Sequence, residues 1–161
     1  MSIVRGDEVA FVESRQGQFQ SQRKTLSRIA GAANLHCSLY EVEPGKTAFP
    51  FHAHHVTEEA IYVLAGCGRL RLGIEEHALA PGDYVALPPG AQHAHQLVCE
   101  GPDVLRYLCF AGGAHADVVE YPDSDKIGVL VGNDSAERTL QAFFRASEQV
   151  PYFDGEDGAD T

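Results

Sequence analysis

Between His36 and Phe110 the chain is a succession of short apolar segments, set about 8 to 12 residues apart and separated by turn residues, and few folds accept that spacing. The segments run from Leu35 to Val42, Ala60 to Leu64, Arg69 to Leu72, Tyr84 to Leu87, His93 to Cys99 and Val104 to Phe110. Pro44-Gly45, Gly66-Cys67-Gly68, Pro81-Gly82-Asp83, Pro88-Pro89-Gly90 and Gly101-Pro102-Asp103 punctuate them. Glycine reaches positive φ and proline holds φ near about −65°, so each cluster suits a tight turn. No helix of useful length fits between turns so closely set, and the spacing predicts an all-β sandwich or barrel.

The flanks read differently. Residues 1–33 are polar, with a Gln-rich, Arg-bearing stretch from Ser14 to Arg28, and are expected to form an arm that wraps a neighbour or a sheet edge. After Gly113, Asp134-x-x-Glu137 followed by Leu140, Phe143 and Phe144 predicts a capped helix of about three turns with one apolar face. Acids and glycines from Asp154 to Thr161 read as a solvated tail. At 161 residues the chain is expected to be one domain, with the arm over 1–33, a barrel core over 35–111 and a C-terminal extension over 112–161.

Charge narrows the partners. A net charge of −11 argues against a nucleic-acid backbone or an anionic membrane as a general partner and leaves room only for a small local anion site. Asp7 and Glu8 interrupt the apolar stretch a signal peptide would need, and no apolar run approaches the roughly 18 residues of a membrane span, so a cytoplasmic location is expected. Cys37, Cys67, Cys99 and Cys109 show no CxxC spacing and read as small core residues rather than bridges or zinc ligands.

Histidine is the anomaly, because six of the eight lie between His52 and His95. In an extended strand His52 and His54 point to one face about 6.6 Å apart along the chain, close enough to converge on one ion. His93-x-His95 repeats the arrangement after the Pro88-Pro89-Gly90 turn. Glu58-Glu59 stands between the pairs at the start of an apolar strand, where a carboxylate is costly unless paired, solvated or bound to a cation. His55 is out of phase with the strand face and His77 follows a hairpin turn, so both are expected in solvent.

At this point the sequence resembles the cupin superfamily. Gly45, six residues, His52-x-His54, four residues, Glu59, six residues and Gly66 look like its first signature, with one extra residue before the first histidine. Gly82, five residues, Pro88-x-Gly90 and a following histidine look like the second. Phe49-Pro50-Phe51-His52, Glu58 to Leu64 and Glu120-Tyr121-Pro122-Asp123-Ser124 resemble the small single-domain cupins described as sugar-phosphate isomerases. The likeness implies a double-stranded β-helix, or jelly-roll barrel, with one divalent metal inside and a homodimeric assembly.

The second signature departs from the family where it expects Asn four residues after its histidine, since Leu97 and Cys99 occupy the two possible places. Placing the extra residues in the turn after Pro89 makes His95 the ligand, with His93 on the same inner face as a substrate contact or proton shuttle. The expected metal set is therefore His52, His54, Glu59 and His95. Three imidazoles and one carboxylate leave one or two open positions and suit Fe(II), Mn(II), Co(II), Ni(II) or Zn(II). A small polar substrate such as a sugar or sugar phosphate, isomerised or epimerised, is what the resemblance suggests. Dioxygen-dependent oxidation or decarboxylation and ligand binding without turnover are the competing readings. Arg69 and Arg71 share a strand face expected to be solvated, and Arg106, between Leu105 and Tyr107, needs a partner if buried.

Overall fold

The computed structural model describes residues 3–112, 115–132 and 138–156. Strands β1 (Val12–Gln16) and β2 (Phe19–Thr25) form a hairpin, followed by a one-turn helix α1 (Leu26–Ile29) and by β3 (Leu35–Val42). Strand β4 (Ala53–His54) is two residues long, and β5 (Glu58–Ala65), β6 (Gly68–Leu72), β7 (Glu75–Leu79) and β8 (Tyr84–Leu87) succeed it through tight turns. A 3-10 turn over Ala91–His93 leads into β9 (His95–Cys99), β10 (Leu105–Gly112), β11 (Ala116–Tyr121), β12 (Lys126–Val131) and β13 (Leu140–Arg145).

The strands pair antiparallel into a six-stranded sheet β1-β2-β3-β10-β5-β8, a four-stranded sheet β13-β12-β11-β4 and a three-stranded sheet β7-β6-β9. A bridge between His52 and His95 joins the two smaller sheets into the second wall of a jelly-roll barrel. Alternation along each strand sends one face inward, and Tyr40 and Val42, Ile61 and Val63, Leu97 and Cys99, and Leu105 and Tyr107 form the core with Leu70, Leu79 and Leu87. Burying each Val or Leu there contributes about 1.5–3 kcal/mol. Gly66, at φ +76°, turns β5 into β6 where a Cβ would collide with the Val104 carbonyl oxygen and lie 2.8 Å from Leu105 Cα.

The polar arm covers an edge of its own sheet, since β2 pairs with β3 from Gln22↔Glu41 to Thr25↔Ser38. The predicted C-terminal helix is corrected in part: its capping residues, 134–137, lie outside the described residues, but Leu140, Phe143 and Phe144 belong to β13. That strand pairs with β12 along its whole length, from Lys126↔Arg145 to Val131↔Leu140. The open edge of β12 offers a ladder of backbone partners, and the Phe143 ring covers Gly128 opposite it, where a Cβ would be 2.7 Å from the ring. Cysteine burial also divides. Cys99 is in the core and Cys37 and Cys109 are half-buried, whereas Cys67 is exposed because it sits at the tip of the Gly66–Gly68 turn. Among the described residues no helix is long and apolar enough to cross a membrane.

Candidate metal centre

The site forms where the two smaller sheets meet. His52 and His95 exchange both backbone hydrogen bonds, 3.1 Å and 2.7 Å, which fixes their rings side by side with centroids 4.6 Å apart. Two residues on, His54 pairs with Val119 of β11 and returns to the same face, its ring 5.1 Å from that of His52. Ala53 between them points the other way and packs with Phe51 and Ala94. Glu59 enters from the six-stranded sheet, one alternation before Ile61 and Val63, so the phase that builds the core also aims the carboxylate inward.

Each imidazole is held by its Nδ1. His52 Nδ1 bonds the Pro50 carbonyl at 2.9 Å, His95 Nδ1 the His93 carbonyl at 3.0 Å, and His54 Nδ1 the Asp117 carboxylate at 2.5 Å. With Nδ1 donating, the Nε2 lone pair of each ring is free to bind a cation, the arrangement by which neighbouring groups orient metal ligands. The Nε2 atoms of His54 and His95 lie 3.5 Å and 3.2 Å from the same Glu59 Oε2. Two ligands bound at right angles about 2.1 Å from one ion stand about 3 Å apart, so these separations fit a shared divalent ion. His52, His54 and Glu59 also converge with their ligand atoms within 4.8 Å of one another.

Electrostatics put His52 and Glu59 in the forms that a cation binds. Burial, reinforced by the nearby His95, pushes the His52 pKa down to about 4, so this ring is a neutral donor at pH 7. Burial opposes charge on His54 as well, but the hydrogen bond to Asp117 and the charge of Glu59 outweigh it and raise the pKa. For Glu59, burial is outweighed by His95 and His54, which hold its carboxyl below the usual range. Asp117 is held at about 2, because His54, Thr57 and the Val56 N–H overcome the cost of its burial. A neutral imidazole and an ionised carboxylate are the forms a divalent cation binds.

The cluster lies on the wall of a cavity of about 220 Å³, whose other sides include Phe49, Leu97, Val119 and Tyr121. His52, His54, Glu59 and His95 all line it. His93 does not stand on this wall. The 3-10 turn over Ala91–His93 replaces the extended backbone that would have put it in phase with His95, and its carbonyl rather than its ring serves the site. His55 and His77 are exposed beside Glu120 and Glu75. Arg69 pairs with Glu76 and Glu100, Arg71 holds Asp123 through two hydrogen bonds, and Arg106 pairs with Glu41, so these three serve the barrel's outer surface. Cys99, one candidate for the missing Asn, is fully buried in the core, where its thiol donates to the Asp103 carbonyl. Sequence reasoning missed Asp117, although an acid inside Ala116-Asp117-Val118-Val119 is the same signal that singled out Glu59.

Residues 38–111 match the family model described as Cupin domain. A solved structure from Acidithiobacillus ferrooxidans, provisionally named a sugar phosphate isomerase, aligns with a TM-score of 0.81 and 25% identity over 92% of this chain and 95% of its own. A second, from Silicibacter pomeroyi and described as a sugar phosphate isomerase from a cupin superfamily, gives a TM-score of 0.78 at 22% identity over 94% of this chain and 98% of its own. At that identity the second likeness is one of fold. Among curated proteins, quercetin 2,3-dioxygenase of Bacillus subtilis is 35% identical over 68 residues, 42% of this chain and 20% of the relative. The chain therefore spans about a fifth of that protein's length.

Proposed function

We propose that this chain, whose residues 38–111 form a cupin domain, is a metal-dependent enzyme that isomerises or epimerises a small polar molecule such as a sugar or sugar phosphate. The observation that carries the reading is the convergence of three imidazoles, each with Nδ1 engaged and Nε2 turned inward, on one half-buried carboxylate at a cavity wall. His52, His54, Glu59 and His95 would hold the ion. A divalent ion with an open position supplies Lewis acidity, polarising a carbonyl or hydroxyl oxygen.

The protein's own residues do the rest. Phe49, Ile61, Leu97 and Val119 give the cavity apolar walls that exclude water and strengthen polar contacts within it. Tyr121 stacks near His52, at 6.1 Å between centroids. Burial raises its pKa against the pull of Arg138, so its hydroxyl stays protonated and can donate to a substrate oxygen. Asp117 holds His54 in one orientation while substrate enters.

The test is turnover. Chelator-stripped protein reloaded in turn with Fe(II), Mn(II), Co(II), Ni(II) and Zn(II) is incubated with aldoses, ketoses and their phosphates, and products are resolved by chromatography. Metal-dependent interconversion that is lost in His54→Ala supports the reading; no turnover with any metal contradicts it. A second reading, dioxygen-dependent oxidation, draws on the 35% identity to quercetin 2,3-dioxygenase. Oxygen uptake with iron and not with zinc selects it.

A further inference from the structure

The histidine pair of the candidate metal centre rides on very little regular structure. Strand β4 is two residues long, and His52, just ahead of it, is joined to β9 by the single bridge to His95. A ladder so short leaves the position of the His52-x-His54 segment to packing. Behind that segment, on the side away from the histidine rings, stands a small apolar cluster of Phe51, Ala53 and Ala94, separate from the main core. Phe51 is buried there, and the group stacked on it is a guanidinium, with Arg71 Cζ 3.6 Å from the centre of the ring.

Arg71 belongs to β6 of the three-stranded sheet, where the next residue, Leu72, lies opposite His95. The same guanidinium donates from Nη1 and Nη2 to the two carboxylate oxygens of Asp123, at 2.7 Å and 3.0 Å. Asp123 sits in the 3-10 turn Pro122–Ser124, directly after Tyr121, whose ring faces that of His52 across 6.1 Å. One side chain thus ties together the sheet that carries His95, the cluster behind His52 and the turn that follows Tyr121.

Exposed ion pairs contribute little as a rule. This one differs in being bidentate, so that the fork fixes an orientation as well as a distance, and in stacking its cation on a buried ring. Arg69 supplies the contrast. It lies two residues away on the same strand, and the two side chains are 35% and 37% exposed. Its partners are Glu76 of β7 and Glu100, the residue after β9, so its bonds stay within the three-stranded sheet.

We infer that Arg71 is a positioning residue of the metal centre: by stacking on Phe51 and holding Asp123 it fixes, from the outer surface of the barrel, the His52-x-His54 segment against the strand that carries His95. The inference rests on the proposed function for the metal site and not for the reaction.

The experiment measures Co(II) and Zn(II) affinity by chelator competition and records the visible absorption of the Co(II) form. It uses the full wild-type chain, Arg71→Gln, Asp123→Asn, the Arg71→Gln plus Asp123→Asn double variant, and Arg69→Gln, each with its thermal unfolding. The dissociation constants should rise about three- to tenfold in Arg71→Gln and Asp123→Asn, with a changed Co(II) spectrum. The double variant should bind no more weakly than Arg71→Gln, because both substitutions remove one shared interaction. Arg69→Gln should stay within twofold of wild type and keep its spectrum, even where its unfolding temperature falls as far. Asp123→Asn keeps the test open if Arg71→Gln does not fold. Affinity within twofold of wild type and an unaltered Co(II) spectrum in Arg71→Gln or, failing that chain, in Asp123→Asn overturn the inference. An equal loss in Arg69→Gln also overturns it, because the effect is then one of general stability. A wild-type chain that binds neither metal overturns this inference and the proposed function together, whereas Arg71-dependent metal binding without turnover of any sugar refutes the proposed function alone.

Discussion

Replacing Asp117 by Asn leaves the shape of the candidate metal centre intact and removes the charge behind His54, one of its proposed ligands. In the wild-type chain the Asp117 carboxylate takes the His54 Nδ1–H at 2.5 Å and the Val56 N–H at 3.0 Å, and its pKa lies at about 2. The depression from the ordinary 3.8 is nearly 2 units, about 2.5 kcal/mol at 1.36 kcal/mol per unit, and it is what remains after the opposing cost of burial, so the partners together contribute at least that much. His54 shares that total with Thr57 and Val56, and an Asn carbonyl still accepts one hydrogen bond, so the loss at His54 is about 1.5–2.5 kcal/mol. That corresponds to roughly 10- to 60-fold in metal affinity, within the range of about 10–100 found when a group that orients a ligand is altered. Chelator competition with Zn(II) and Co(II) measures it on wild type, Asp117→Asn and the exposed-site control His55→Ala. The reasoning predicts weakening only in Asp117→Asn. An Asp117→Asn chain that folds normally and binds both metals within twofold of wild type refutes the claim that His54 depends on this partner.

Other outcomes follow from the same geometry. In metal-free protein, Asp117 has its folded pKa depressed, so the stability it contributes is present above about pH 4 and is lost as pH falls toward about 2. His54, with its folded pKa raised, contributes below about pH 6.5 and loses that contribution as pH rises through the raised value. Urea midpoints measured across this range should fall at both ends, and a midpoint flat between pH 4 and pH 2.5 contradicts the Asp117 assignment. Gly66→Ala forces a left-handed alanine against the Val104 carbonyl and should lower stability by about 1–3 kcal/mol in urea, whereas a change below about 0.5 kcal/mol means the turn is not held as described. A homodimer is expected, because Leu140, Phe143 and Phe144 expose 48%, 49% and 44% of their surface along an edge strand. Light scattering that returns a monodisperse monomer of 17.4 kDa contradicts it.

The barrel could be read from the chain because its signals are local. The segments Leu35 to Val42 and Tyr84 to Leu87 form strands with those bounds, since alternation and flanking glycines or prolines are set within a few residues. The convergence of His52, His54, Glu59 and His95 on one cavity wall was legible for the same reason: HxH spacing and an acid in an apolar strand keep their meaning wherever the strand goes. What lay beyond reach depends on partners distant in sequence. Leu140, Phe143 and Phe144 fit a helical face as well as a strand, and the open edge of β12 decides between them. Strand β7, Glu75-Glu76-His77-Ala78-Leu79, is too polar to announce itself and forms by pairing with β6. His93 left the inner wall because a 3-10 turn has no two-residue alternation. Arg71 and Asp123, 52 residues apart, meet only through the crossings of the fold.

The central claim is that His52, His54, Glu59 and His95 form one metal centre, and metal stoichiometry tests it most directly. Elemental analysis of purified wild type, of the His52→Ala plus His54→Ala double variant, and of His95→Ala and His93→Ala should find about one divalent ion per chain in wild type and in His93→Ala. The double variant should hold almost none, and His95→Ala a small fraction of an equivalent. Metal content unchanged in the double variant contradicts the whole account, and a full equivalent in His95→Ala with loss in His93→Ala reverses the assignment of the fourth ligand.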